Sequence, residues 1–247
     1  MARVSRPGAL VSLALVTALR LGWPSGVSAA PRRPDVTPPA GVERVGVEGD
    51  APAYVLPGDP GEQVLVYLPG RCGDPFAGVG SFPQAARRHG TTVVVSGDVA
   101  CPDRPGRRRW SSAPAKIEAR IETAVAAAAR ALGRTLATEK MTLLGYSEGA
   151  LRAEQVTAAF GARYPRVLLG GDPRTPVPAH FDGVRAVATL AGARDQQKTM
   201  RDGSTALQKA GIASRFWVLP AAGHGQYGPD AERVVGEALD WLFATAL

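Results

Sequence analysis

The sequence predicts an α/β protein: a mostly parallel sheet with antiparallel N-terminal strands, helices on both faces and no sizeable cap domain. Three observations point that way. From Pro83 onward, short apolar runs alternate with helical stretches. The runs are nearly continuously apolar, as strands buried on both faces are. Before them, glycine and proline pairs such as Pro57-Gly58 and Pro60-Gly61 punctuate shorter β-type runs.

Taken in order, the chain opens with Arg3 and Arg6, an apolar run over residues 10–19 and the small residues Gly26-Val27-Ser28-Ala29-Ala30. This is the pattern of a secretory signal peptide cleaved after Ala30. An apolar run of about ten residues, closed by Arg20, is half the roughly 20 that a spanning helix needs, so no stable membrane insertion is expected. The Pro-rich stretch 31–40 reads as a linker, and residues 41–247 read as one domain. Strands are expected over 42–47, 53–56 and 63–68 as an antiparallel meander. There follow a helix over 83–89, a strand over 91–95, a helix over 115–131 and a strand over 141–144. The remainder reads as a helix from 148 to about 162, strands over 167–169 and 184–190, a helix over 196–210, a strand over 214–219 and a helix over 231–246.

With 45% hydrophobic residues the chain can bury a substantial core. Loss of residues 1–30 takes away three arginines and lowers the formal charge from +7 to +4, so part of the basicity belongs to targeting. The rest gathers at Arg32-Arg33 and at Arg104, Arg107, Arg108 and Arg109. Neither an aromatic-interleaved basic face nor a recognition motif accompanies it, which argues against nucleic acid as a partner.

At residues 145–149, Gly145-Tyr146-Ser147-Glu148-Gly149, an apolar strand meets an alanine-rich helix. A strand that turns into a helix within two residues holds the turn residue in a strained conformation, and small neighbours let the backbone pass. Ser147 therefore stands exposed at the carboxyl end of the sheet. A serine hydroxyl needs a base, and the base an orienting group. Of the three histidines, His89 ends a helix beside Arg87 and Arg88, and His180 lies in a Pro-rich loop. His224, in Gly223-His224-Gly225, follows a strand at the same edge as Ser147. Asp195, after the strand over 184–190, is the first candidate for the acid; Asp172, in Gly170-Gly171-Asp172-Pro173, is the second.

The elbow, the order Ser147, Asp195, His224 and the strand before each resemble the α/β-hydrolase superfamily, over residues 41–247. The resemblance implies a serine hydrolase working through an acyl-enzyme, with an oxyanion hole from the backbone N–H groups of Arg71 and Glu148. Where many members have His-Gly after the third strand, this chain has Pro69-Gly70-Arg71-Cys72-Gly73, so Cys72 is the alternative to Arg71 as first donor. The usual strand order would bring Cys72 and Cys101 out at one edge, within reach of a disulfide, which suits an exported protein, secreted or periplasmic. Neither metal nor cofactor is implied, and the partner expected is a small-molecule ester or peptide, bound by a monomer. Two further readings stand beside an esterase: a peptidase or acyltransferase, and a hydrolase-fold protein that binds without turnover. The arginine cluster, on the rim of the same face, is expected to attract anionic substrates or surfaces.

Overall fold

The computed structural model describes residues 38–246 except Pro60, Glu62 and Ser112. The signal peptide expected over 1–30, and the linker apart from its last three residues, lie outside the described residues. The first half of the fold contains β1 (Glu43–Val45), β2 (Ala53–Leu56), β3 (Val64–Leu68), α1 (Pro83–His89), β4 (Thr91–Val94), β5 (Val99–Ala100), β6 (Arg108–Arg109) and α2 (Pro114–Leu132). It continues through β7 (Thr142–Tyr146), α3 (Glu148–Phe160), β8 (Arg166–Gly170), β9 (Ala186–Gly192), α4 (Gln197–Lys209), β10 (Ala213–Leu219) and α5 (Ala231–Thr245).

One sheet takes the order β1-β2-β4-β3-β7-β8-β9-β10, and β5 with β6 makes a separate hairpin. β1 and β2 pair antiparallel, as do β2 and β4, and the remaining neighbours are parallel. The expected meander holds only for β1 and β2. β3 lies between β4 and β7 rather than beside β2. All five residues of β3 are buried, which suits a central strand covered on both faces. The crossover through α1 then sets β4 parallel beside it, in the place a meander would have given to β3.

Alternation along β3 divides the core. Val64, Val66 and Leu68 pack with Ile117 and Ile121 of α2, Ala150 and Ala153 of α3, and Met200 of α4. Leu65 and Tyr67 face Ala85 and Ala86 of α1 with Val235 and Leu239 of α5. Each fully buried large aliphatic side chain contributes about 1.5–3 kcal/mol. The boundaries of α2 follow local rules: Pro114 sits at the first turn, where its missing N–H costs nothing, and Gly133 closes the helix at φ 63° with its N–H on the last carbonyls.

At the far edge, β10 carries Arg215 outward, and its guanidinium lies 5.0 Å from the Trp217 ring, while Arg201 of α4 lies 5.2 Å from Phe216. Between β8 and β9, residues 171–185 hold only a single 3-10 turn, Pro178–Phe181, so no large cap covers the carboxyl edge of the sheet. That edge carries the ends of β3, β7, β8, β9 and β10, from which the site is built.

Candidate active site

Ser147 occupies φ 54°, ψ −120°, one of three non-glycine residues at positive φ among the described residues. The turn is made possible by its neighbours. A Cβ on Gly145 would stand 2.4 Å from the carbonyl oxygen of Gly149, and one on Gly149 would stand 1.9 Å from that of Leu68. Any side chain there would push the helix off the sheet. The Ser147 N–H donates to the Gly170 carbonyl at 2.8 Å, fixing the turn to the next strand.

Ser147 Oγ lies 2.9 Å from His224 Nε2, and His224 Nδ1 lies 2.9 Å from Asp195 Oδ2. The other Asp195 oxygen accepts the Gln196 N–H. The loops bearing acid and base are fastened together: Arg194 N–H donates to the Ala222 carbonyl at 2.9 Å, and its guanidinium to the Ala221 carbonyl at 2.7 Å. From below, the Tyr146 hydroxyl accepts the Gly225 N–H at 3.1 Å, joining the elbow strand to the histidine loop. Burial pushes that phenol up to about 12, so it stays neutral.

The remaining expected residues separate clearly. Asp172 is buried and makes no hydrogen bond to His224 among the described residues. Its Oδ1 accepts the Arg174 N–H, its Oδ2 has no partner among the described residues, and burial pushes the carboxyl up to about 7. His89 sits against Asp240 and His180 against Glu154, and neither lines the cleft at Ser147.

Residues 70–73 form a turn closed by Gly73 N–H on the Gly70 carbonyl, with Cys72 at φ 51°. The Cys72 N–H donates to the Arg108 carbonyl at 2.9 Å, whereas no hydrogen bond engages the Arg71 N–H among the described residues. At the start of α3, the Glu148 N–H has no carbonyl four residues back to bond within the helix. Two backbone donors, those of Arg71 and Glu148, thus flank Ser147 without backbone partners among the described residues.

As an acid in the first turn of α3, the Glu148 side chain is favoured by the helix dipole. It is buried, and its Oε1 accepts Arg71 Nη2 at 3.0 Å and Nε at 3.3 Å, while its Oε2 takes the Trp110 N–H. The two residues that present the free donors are therefore tied to each other by an ion pair. A half-shielded pair of this kind is worth more than an exposed one because less water competes for it. The disulfide Cys72–Cys101 holds the same turn from the other side, with Cα atoms 5.9 Å apart. Such a bond persists in an oxidising compartment.

The cleft beside Ser147 measures about 310 Å³ and is floored by Tyr67, Tyr146 and Tyr227. Tyr67 and Tyr227 bond hydroxyl to hydroxyl at 3.1 Å, and burial pushes both phenols well above their usual range. No helix among the described residues is long and apolar enough to cross a membrane.

No protein-family profile matches the sequence, and no curated protein does. Solved structures are similar in fold. Esterase PE8 aligns at 16% identity and TM-score 0.58, over 76% of this chain and 97% of its own. A carboxylesterase from Mesorhizobium loti aligns at 21% and 0.55, over 81% and 99%, and a dienelactone hydrolase from Anabaena variabilis at 14% and 0.57, over 83% and 96%. The chain thus has the α/β-hydrolase fold.

Proposed function

We propose that this α/β-hydrolase fold is an exported serine esterase in which Ser147, His224 and Asp195 form the catalytic triad. The observation that carries the proposal is the unbroken hydrogen-bonded line from Ser147 Oγ through the imidazole to Asp195, at the open carboxyl edge of the sheet. Ser147 Oγ attacks the ester carbonyl carbon as its proton passes to His224 Nε2, and Asp195 holds the imidazole tautomer and stabilises the imidazolium. The oxyanion accepts the N–H groups of Arg71 and Glu148, an arrangement in which one donor typically contributes about 10²–10³ in rate. Collapse expels the alcohol, which takes the proton from Nε2. Water then attacks the acyl-enzyme with His224 as base and releases the acid and Ser147.

The structural neighbours named esterase and carboxylesterase favour an ester over a peptide bond, and the absence of a large cap favours substrates that reach the site from an open cleft. The N-terminal segment and the disulfide favour export. Purified protein is expected to react with a fluorophosphonate probe, with the label on the peptide containing Ser147 by mass spectrometry. Folded protein that remains unlabelled, or a label on any other serine, would overturn the assignment.

The disulfide enters the same scheme because it steadies the turn that offers the Arg71 N–H. Replacing Cys72 and Cys101 together by serine opens a link of sequence separation 29. The variant is expected to lose about 3–4 kcal/mol of stability in urea, and part of its turnover with it. An unchanged midpoint with unchanged turnover would mean that the other contacts hold the turn unaided.

A further inference from the structure

We propose that the ester accepted at this site carries a second, ionised carboxyl group on its acyl half, received by Arg104. The inference rests on the triad assignment and adds to it the chemical class of the substrate.

The walls of the cleft are the first observation. Apart from the tyrosines, Ser147 and His224 they consist of glycines, Ala77, Arg71, Asp74 and Arg104, and no Leu, Ile, Val, Met or Phe lines it among the described residues. A buried methylene stabilises a complex by about 0.8 kcal/mol only where apolar walls receive it. Only the tyrosine rings and Ala77 offer such walls to an alkyl acyl chain here, whereas Arg71, Asp74 and Arg104 offer partners to a polar group.

The sign of the charge is the second. Arg71 is paired with Glu148 at 3.0 Å, a carboxylate it shares with Arg152 at 3.7 Å, and Asp74 is paired with Arg107 at 3.0 Å. Arg108 is spent on the carbonyls of Gly97 and Asp98. Arg104 forms no ion pair among the described residues, and its one hydrogen bond goes to the Cys72 carbonyl at 3.4 Å. Its guanidinium therefore keeps its charge and most of its donors at the cleft, in the geometry suited to a carboxylate.

Position is the third. The Arg104 N–H donates to the Cys101 carbonyl, and Cys101 is bonded to Cys72, so Arg104 is held close to the turn bearing the Arg71 donor. The leaving alcohol must face His224 Nε2, from which it takes its proton. The acyl half then extends towards the Arg71–Arg104 wall.

The test compares two activated esters of equal chain length, the mono-p-nitrophenyl ester of adipic acid and p-nitrophenyl hexanoate, with uncatalysed hydrolysis subtracted. The ratio of their kcat/KM values is expected to favour the anionic ester by roughly tenfold, as one charge-assisted hydrogen bond can supply. Arg104→Gln is expected to lower the ratio about tenfold and Arg104→Lys to lower it less. Arg109→Gln, which alters an exposed cation outside the cleft, is expected to keep it. Hydrolysis of the hexanoate with no preference for the adipate would overturn the carboxylate subsite and leave the serine esterase standing. An equal fall with Arg109→Gln would overturn it in favour of a diffuse field. Hydrolysis of neither ester would overturn the subsite, and if Ser147 also resists the fluorophosphonate, the triad assignment falls with it.

Discussion

Ser147→Ala is expected to lower kcat by about 10⁵–10⁶-fold, leaving only what the oxyanion donors and binding achieve on their own. Ser147→Gly is expected to be equally inactive yet more stable than the alanine variant, by about 1 kcal/mol. Both variants lack Oγ, so neither can form an acyl-enzyme. They differ in the backbone: at φ 54°, ψ −120° a residue with a Cβ bears strain of order 1–3 kcal/mol, which glycine escapes. Glycine's greater freedom in the unfolded chain returns about 0.4–1 kcal/mol of that gain. Urea midpoints at equal m-values measure the difference. Equal midpoints would mean that the elbow stores no strain, and retained turnover in either variant would remove Ser147 from the chemistry.

Asp195→Asn is expected to lower kcat by about 10³–10⁴-fold with the fold intact, because an amide neither selects the imidazole tautomer nor stabilises the imidazolium. Asp172→Asn should have a small effect on turnover and a visible one on stability. Burial raises the folded pKa of Asp172 from 3.8 to about 7, so the folded state holds its proton more tightly than the unfolded one. Stability from this group is fully present below about pH 4 and is lost as pH rises through about 7. Removing the carboxylate should flatten that part of the profile, by up to about 4 kcal/mol between pH 4 and 8. Opposite rankings of the two variants in kcat would move the acid to the end of β8.

Local chemistry explains which features were legible beforehand. Pro83 and the apolar pattern define α1, and the glycines beside Ser147 leave room for no other turn. Chain order and loop placement favour Asp195 over Asp172, and the Asp195 carboxylate meets the imidazole at 2.9 Å. Illegible were the features made by distant pairs. The β5–β6 hairpin has two residues per strand, too few for any alternation, and it is what brings the Arg108 carbonyl to the Cys72 N–H. The Arg71–Glu148 pair joins residues 77 apart, and no periodicity encodes a meeting of that kind. The position of β3 also depended on what packs on both its faces, which a run of five apolar residues does not reveal.

The two rims of the sheet bear on how the molecules behave in crowded solution. A rim strand offers unpaired amides and carbonyls to any other chain that can lie flat against it. β1 answers by being three residues long, with Glu43 and Arg44 exposed. β10 is seven residues long and holds Phe216 and Trp217, a composition that invites strand addition. There Arg215 and Arg201 lie over those two rings, so the strand carries a positive charge on each face, and a second copy of it would have to bring like charges together to pair. The arrangement makes the longer rim a poor template for aggregation without shortening it.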